Sequence, residues 1–562
     1  MSRGLAMRHL HLSLLVALSV HAHAAPDAGS VLQQLEPRPA APAFKAPSLQ
    51  TPQAPTPSAA ESAGLVLHVK AFRIDGATLL SPDVLQTALA GFVGRDLSLT
   101  QLQEAAWVVT QTYREAGWLV NVFVPPQEIE QGLVRIQVVE ARLGQIHVDI
   151  QAGVRIGAQQ IRELVLAQIQ SGQPLSLARV DRALMLIDEL AGVLSSSSFA
   201  PSQTEGATDL VLVVGGGKTV DTLVSLDNHG ARSTGQNRRS TNLNFNSLMG
   251  VGDLLSIGLI DTAGSSYRRA AYSLPLGSQG LRVGVHGSDM NYAFVWNAMA
   301  IAGLARSSGL DLSGPWLRNT TSRWSWSLTT DHKQLQNSAN DAVTSDYHID
   351  VVRATLSGGW QDSWLSLAQN SLGITLSSGK VNNPADTTGV HGSFNKLNLA
   401  YNREQGITGR LSWFAQAQTQ SASRNLDSSE KLFLGGVNWV RAYPANEVGG
   451  ASGYVATLGL RQRLDLGFTL SGFVDWGRVN VCHNMASVCL KNAASGAGGQ
   501  EPATQALQGH GLSLTWQTDP GLDFNATWSR RRGQHPNPDA NGLDSDQSRV
   551  IDRVWLSATL RF

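Results

Sequence analysis

From residue 218 to residue 562 hydrophobic and polar positions alternate with a period of two, and no helical period interrupts them. Near the end Val550, Asp552, Val554, Leu556, Ala558, Leu560 and Phe562 share one face, and Ile551, Arg553, Trp555, Ser557, Thr559 and Arg561 the other. Apart from Asp552 the first face is apolar, as a lipid-facing strand requires. Leu522, Phe524, Ala526 and Trp528 repeat the pattern, as do Tyr454, Ala456, Leu458 and Leu460. Tight turns such as 519–521 and 277–280 alternate with longer polar stretches such as 331–347 and 533–547, which read as loops. Lipid cannot satisfy free backbone groups, so a spanning sheet must close on itself. The pattern predicts a membrane β-barrel of about 16 antiparallel strands over residues 217–562.

The preceding stretch is different. Residues 65–74 read as a strand, 82–90 as a short helix, and Thr100 to Ala116 as a longer one. Thr100 with Gln103 forms a candidate capping box. Leu102, Ala105, Ala106, Val109 and Tyr113 make one apolar face, and Gly117 is placed to end the helix. Strands over 119–124 and 133–139 follow. The unit then recurs, with a strand at 146–150, a helix at 158–169, and strands at 197–202 and 210–214. Leu175-Ser176-Leu177 repeats Leu97-Ser98-Leu99, and Val180, Leu184 and Ile187 keep the spacing of Leu102, Ala106 and Val109. Two tandem α+β modules are expected, over residues 65–143 and 144–216.

At the N-terminus Arg3 and Arg8, the apolar run 10–20 and Ala22-His23-Ala24 read as a secretory leader over residues 1–24. In residues 25–36 Val31, Leu32 and Leu35 fall on one helical face. The stretch 37–64 is rich in proline, with Ala, Ser, Thr and Gln around it; it buries no core and reads as an extended linker. A short helix on such a tether can dock far from its place in the chain.

Composition narrows the function. Lys+Arg and Asp+Glu are equal at 43 in 562 residues, so no charge excess points to nucleic acid. Charged residues make up 15%, with 55 glycines, 14 tryptophans and 2 cysteines. That balance, with no long apolar helix after the leader, suits a membrane barrel better than a cytosolic enzyme. Gly215-Gly216-Gly217-Lys218-Thr219 resembles the end of a phosphate loop, but Leu212 stands where the first glycine belongs and a strand follows. It reads better as a hinge into the barrel. Cys482 and Cys489 flank a short polar stretch and read as a loop disulfide; two thiols and His483 fall short of a closed metal site. No nucleophile–base pair assembles, so neither an enzyme nor a cofactor is expected.

Two short signals remain, Val440-Arg441-Ala442-Tyr443 in a turn-rich stretch, and Phe473-Val474-Asp475-Trp476-Gly477 in a strand whose Asp475 would point into the lumen. A lumen carboxylate needs a cation, and Arg441 on an inward-folded loop is the candidate. The repeated β-α-α-β-β order resembles the POTRA domain. The whole sequence of leader, short helix, proline-rich linker, two such modules and barrel resembles the TpsB transporters of two-partner secretion. Val440–Tyr443 is similar to that family's V-R-G-[YF] loop motif, with Ala442 in place of glycine, and Phe473–Gly477 to its F-x-D-x-G strand motif.

The resemblance implies a bacterial outer-membrane protein with its POTRA domains in the periplasm, and a loop folded into the lumen with Arg441 paired to Asp475. It also implies a plug-like helix over residues 25–36, and export of an unfolded TpsA-type exoprotein as the function. Phe562 matches the aromatic end read by the barrel-assembly machinery. Besides the exoprotein, the expected partners are outer-membrane lipid and that machinery, with no nucleic acid. In the first module the strand bearing Val120, Val122 and Val124, with the helix before it, is the expected contact for extended substrate. Two alternatives stand, an outer-membrane assembly factor of the same superfamily and a passive porin-like channel.

Overall fold

The computed structural model describes residues 25–36, 66–204, 206–386, 389–483, 504–518, 521–533, 535, 538 and 542–562. The expected leader (1–24) and linker (37–64) lie outside the described residues. Sixteen antiparallel strands close into a barrel, and the last, Asp552–Arg561, pairs back onto the first, Val220–Asp227. The alternation read from the sequence produces this wall. Along Leu281–Trp296, Val283 and Val285 face outward while His286, Ser288, Met290 and Tyr292 are buried inside. Along Asp552–Arg561, Val554 and Leu556 face outward and Arg553 and Trp555 inward.

One expectation about the loops fails. Residues 331–347 are not a loop but the far ends of two long strands, Ser322–Ala339 and Ala342–Asp362. They join through Asn340 (φ 48°) and Asp341 (φ 64°), a two-residue turn of the kind that follows the twist of a hairpin. The longer strand has 21 residues. At about 3.3 Å per residue it overshoots a ~30 Å hydrocarbon layer, so its outward face turns polar while the ladder continues. Outward polarity there marks water outside the membrane, not the end of the strand.

The two modules have one topology. In the first, Ala71–Asp75 lies parallel to the central Leu133–Glu140, which pairs antiparallel with Val120–Phe123. In the second, Arg142–Ile150, Ala207–Gly216 and Val193–Pro201 take the same three places. The helices Leu99–Glu115 and Leu177–Asp188 bury Leu102, Ala106 and Val109 in one module and Val180, Leu184 and Ile187 in the other. Two details differ from expectation. The first helix is capped by Ser98 with Gln101, not by Thr100 with Gln103, because the helix begins at Leu99. Residues 66–75 form two strands, Val66–Val69 and Ala71–Asp75, and the former pairs with the additional strand Arg95–Ser98.

The second module sits against the barrel's short turns. Glu189 grips Arg318 through both oxygens, at 2.6 and 3.3 Å, and Arg318 also donates to Ser325 Oγ at 2.8 Å. The glycine-rich 215–219 stretch ends one sheet strand at Gly216 and leads into the barrel strand starting at Val220, with no helix after it.

Candidate functional site

The site is built on the chain between the barrel strands Leu411–Ala422 and Ser452–Arg463. This segment folds into the lumen. It contains a short 3-10 turn, Ser428–Glu430, and a small hairpin, Leu432–Leu434 with Val448–Gly450, whose tip carries Val440–Tyr443. The hairpin carries its own apolar core: Leu432, Leu434, Val440, Ala442 and Tyr443 pack on the wall residues Val455, Val479 and Leu507. Gly477 faces this core, where an added Cβ would lie 2.8 Å from Leu434 Cδ2.

Arg441 and Asp475 meet as the motif implies. Asp475 is 0% exposed on the inward face of Phe468–Asn480. Arg441 donates from Nε to Oδ2 at 2.9 Å, from Nη2 to Oδ1 at 2.6 Å, and from its backbone N–H to Oδ2 at 3.1 Å. Thr457 Oγ1 donates to Oδ1 at 2.8 Å. The guanidinium lies over the Phe473 ring, 3.2 Å from its centre, and the Arg441 carbonyl accepts from Ser529 Oγ and Trp555 Nε1. The carboxylate thus takes four hydrogen bonds, and the guanidinium grips it through two nitrogens with its face on an aromatic ring, in a nearly dry place where a buried pair needs such geometry. Ala442, at the family's glycine position, has no positive φ and is fully buried; its Cβ rests against Gly509, which has none.

A second anchor was not anticipated. Glu430, 1% exposed, is surrounded by Lys333 Nζ at 3.0 Å, Arg353 Nη2 at 2.7 Å and Lys396 Nζ at 2.5 Å, each from a different strand of the wall. Arg353 also pairs with Asp331, which His286 bridges to Asp311. Parity alone places two of the cations in the lumen, since Lys333 shares a face with the inward Leu335 and Arg353 with the inward Val351 and Ile349, but it does not point to Glu430.

The N-terminal helix, Ala28–Leu35, lies inside the barrel. Asp27 caps it through Ser30, and Ala28, Val31, Leu32 and Leu35 join a buried cluster with Tyr267, Met290, Tyr292, Leu335 and Tyr347 of the wall. Its backbone N–H at Ala28 donates to Asn337 Oδ1 at 2.7 Å, and Gln33 Nε2 donates to the Lys431 carbonyl at 2.7 Å. Asn446 of the inward loop donates to the Ser30 carbonyl at 3.0 Å. Gly29 packs directly against Ser428 and Ser429, where any side chain would collide. The helix therefore touches the wall and the inward loop at once.

The other expected residues fare differently. Cys482 is disulfide-bonded; Cys489, the other cysteine of the sequence, lies outside the described residues. Val120 is buried in the first module's own core, and Val122 and Val124 are partly buried against it, beside Leu102, Val109 and Ile136. On that strand Asn121 and Phe123 are the exposed residues. The helix before it buries the face that packs on them.

Comparison with known proteins agrees with this geometry. Residues 206–500 match the family described as haemolysin secretion/activation protein ShlB/FhaC/HecB, and residues 67–141 match the POTRA domain, ShlB-type. The heme/hemopexin transporter protein HuxB of Haemophilus influenzae is 24% identical over 375 residues, 65% of this chain and 66% of that protein. The outer membrane transporter CdiB of Escherichia coli is 23% identical over 424 residues, 70% of this chain and 69% of its own length. The solved structure of CdiB from Escherichia coli superposes with a TM-score of 0.64 at 19% identity, covering 92% of this chain and 94% of that one. BamA from Haemophilus ducreyi lacking POTRA domains 1-3 gives 0.56 at 12% identity, covering 89% and 100%. With the family match running over more than half of the sequence, this chain belongs to the haemolysin secretion/activation protein family, ShlB/FhaC/HecB.

Proposed function

We propose that this protein carries an unfolded exoprotein of the TpsA type from the periplasm through its own barrel and releases it outside the cell. The barrel spans the outer membrane, with its apolar wall against lipid, and the two modules stand in the periplasm. The barrel-assembly machinery inserts it there. The observation that carries this reading is how the lumen is filled. The lumen holds an eight-residue helix and a folded-back loop, each held by side-chain packing and polar contacts and neither by strand pairing with the wall. The helix can leave without breaking the barrel ladder.

In this reading incoming chain first pairs with a sheet edge in the modules, where backbone hydrogen bonds give affinity with little demand on sequence. Val120–Phe123 is an edge strand, and its Asn121 and Phe123 are directed outward. Withdrawal of the helix then opens the lumen. The Arg441–Asp475 pair holds the inward loop in one conformation during passage, and folding outside the cell supplies the direction.

The test is secretion of a co-expressed TpsA-type exoprotein from cells carrying the wild type, Arg441→Ala or Asp475→Ala. Normal insertion, judged by heat-modifiable migration, with strongly reduced export supports the proposal. Undiminished export by both variants removes the pair from the mechanism. Export that does not depend on the intact protein favours an assembly factor, a role the shared fold with BamA accommodates.

A further inference from the structure

Beside Tyr443, on the outer part of the inward loop, three side chains of metal-ligand type converge from two loops. Glu447 belongs to the inward loop, and His535 and Asp544 to the connection between the last two barrel strands. Their ligand atoms lie within 4.8 Å of one another. His535 Nε2 is 2.6 Å from Glu447 Oε1 and 3.3 Å from Asp544 Oδ1. The side chains of Glu447, His535 and Asp544 are only 2%, 9% and 1% exposed.

Each carboxylate is fixed by its other oxygen. Ser545 donates to Glu447 Oε2 from its backbone N–H at 3.1 Å and its hydroxyl at 2.7 Å. Arg531 and Arg553 donate to Asp544 Oδ2 at 2.6 and 3.0 Å. The remaining oxygens, Oε1 and Oδ1, both face His535 Nε2. A single N–H on that nitrogen serves one acceptor, and the short contact assigns it to Glu447. Asp544 Oδ1, on one of the most buried carboxylates of the chain, then keeps the longer, 3.3 Å contact with that ring. A buried carboxylate oxygen held by so long a contact gains from a stronger partner. The local charge has the same sense: Glu447, Asp544 and Asp546 face Arg531 and Arg553, and Arg553 also pairs with Asp546 at 3.1 Å.

We propose that His535 Nε2, Glu447 Oε1 and Asp544 Oδ1 bind a divalent cation of the zinc class, which clasps the inward loop to the last extracellular loop. Ligand distances of about 2.0–2.2 Å place the three donors roughly 3–3.5 Å apart, so the arrangement needs small shifts and loss of the Nε2 proton. An imidazole with two carboxylates suits Zn²⁺ better than Mg²⁺ or Ca²⁺, which prefer oxygen alone. The fixed second oxygens are the outer partners that hold ligating carboxylates in place, and three protein ligands leave a position for water. The cation would stiffen the hairpin at Tyr443, whose ring lies 5.8 Å from that of His535 and 4.5 Å from the Arg531 guanidinium.

The test is calorimetric titration of ZnCl₂ into the full-length protein in detergent after chelator treatment. Wild type is compared with His535→Ala, Glu447→Gln and a His332→Ala/His348→Ala control. The control removes a neighbouring histidine pair on the outer wall, 5.5 Å between ring centres, the rival place for zinc to bind. One tight site in wild type and control, weakened about tenfold or more in His535→Ala and Glu447→Gln, supports the clasp. Zinc should also raise the thermal midpoint of wild type and control but not of His535→Ala. Absence of binding in wild type, binding unchanged in His535→Ala, or binding lost only in the control would overturn it. Heat-modifiable migration verifies that each variant is folded.

Discussion

The two ionic anchors of the inward loop are built on opposite plans. At the tip, one arginine meets one carboxylate, and every contact is paired: two guanidinium bonds, a backbone bond, a threonine and an aromatic face. At the base, one carboxylate, Glu430, is shared by three cations from three strands. The tip depends on geometry, and either partner alone is useless. The base depends on charge count, so its cations are partly redundant while its single anion is not. One loop thus has a specific catch at one end and a tolerant pivot at the other. A segment that must hold one position while the helix beside it leaves is well served by that division.

The comparison can be broken where it is most asymmetric. Glu430→Gln leaves Lys333, Arg353 and Lys396 facing one another in a nearly dry site, with Asp331 as the nearest remaining anion on Arg353. An uncompensated buried charge costs about 3–5 kcal/mol, the largest effect expected here. Loop and helix should leave their resting places, and planar-bilayer recordings should show much higher resting conductance than the wild type. Arg441→Ala removes the tip cation and leaves Asp475 with Thr457 and the backbone N–H of residue 441. The loss is about 3 kcal/mol, confined to the hairpin, and protease accessibility around residues 436–445 should rise while conductance changes less than in Glu430→Gln. Lys396→Met leaves two cations on Glu430, so a loss of about 1 kcal/mol or less is expected, with conductance close to wild type. Equal conductance in Glu430→Gln and Lys396→Met would remove the distinction between anion and cations.

The smallest effect lies away from the lumen. Burial alone would raise the Glu140 carboxyl, but donors from Thr78, Leu79 and Tyr113 outweigh it and hold the group below the ordinary carboxylate range. A folded-state pKa below the unfolded one stabilises above the unfolded pKa, and that gain is lost as pH falls through the folded value. Because the side chain is partly solvated, its worth is about 1 kcal/mol. Hydrogen-exchange protection of the first module, corrected for the intrinsic exchange rate at each pH, should therefore fall on acidification in the wild type and show a weaker pH dependence in Glu140→Gln.

Much of this architecture was legible because a membrane barrel enforces strict parity. The period-two pattern located the wall, and the parity of Asp475 placed it in the lumen before any contact was known. The same rule misled over residues 331–347, where the outward face becomes polar above the lipid and His332, Gln334 and Gln336 looked like a loop. Thr100 with Gln103 and Ser98 with Gln101 have the same capping spacing, and only the pairing of Arg95–Ser98 fixes where the helix begins. Strand character at Val120, Val122 and Val124 does not say which face packs on the module's helix. Glu430 was missed for a different reason. Its partners lie 34 to 97 residues away in sequence, and no local pattern connects them.

The central claim is that the helix and loop filling the lumen must part for export to proceed. Gln33 of the helix donates to the Lys431 carbonyl of the loop across that boundary, so Gln33→Cys/Lys431→Cys places one thiol on each side of it, where a disulfide would tether the helix to the loop without adding bulk at Gly29. The measurement is export of a co-expressed TpsA-type exoprotein from cells carrying this pair, oxidised and then reduced, with the wild type taken through the same cycle. The account predicts that export stops when the tether forms and returns on reduction, while the wild type is unaffected. Export at the wild-type level with the tether fully formed would contradict it.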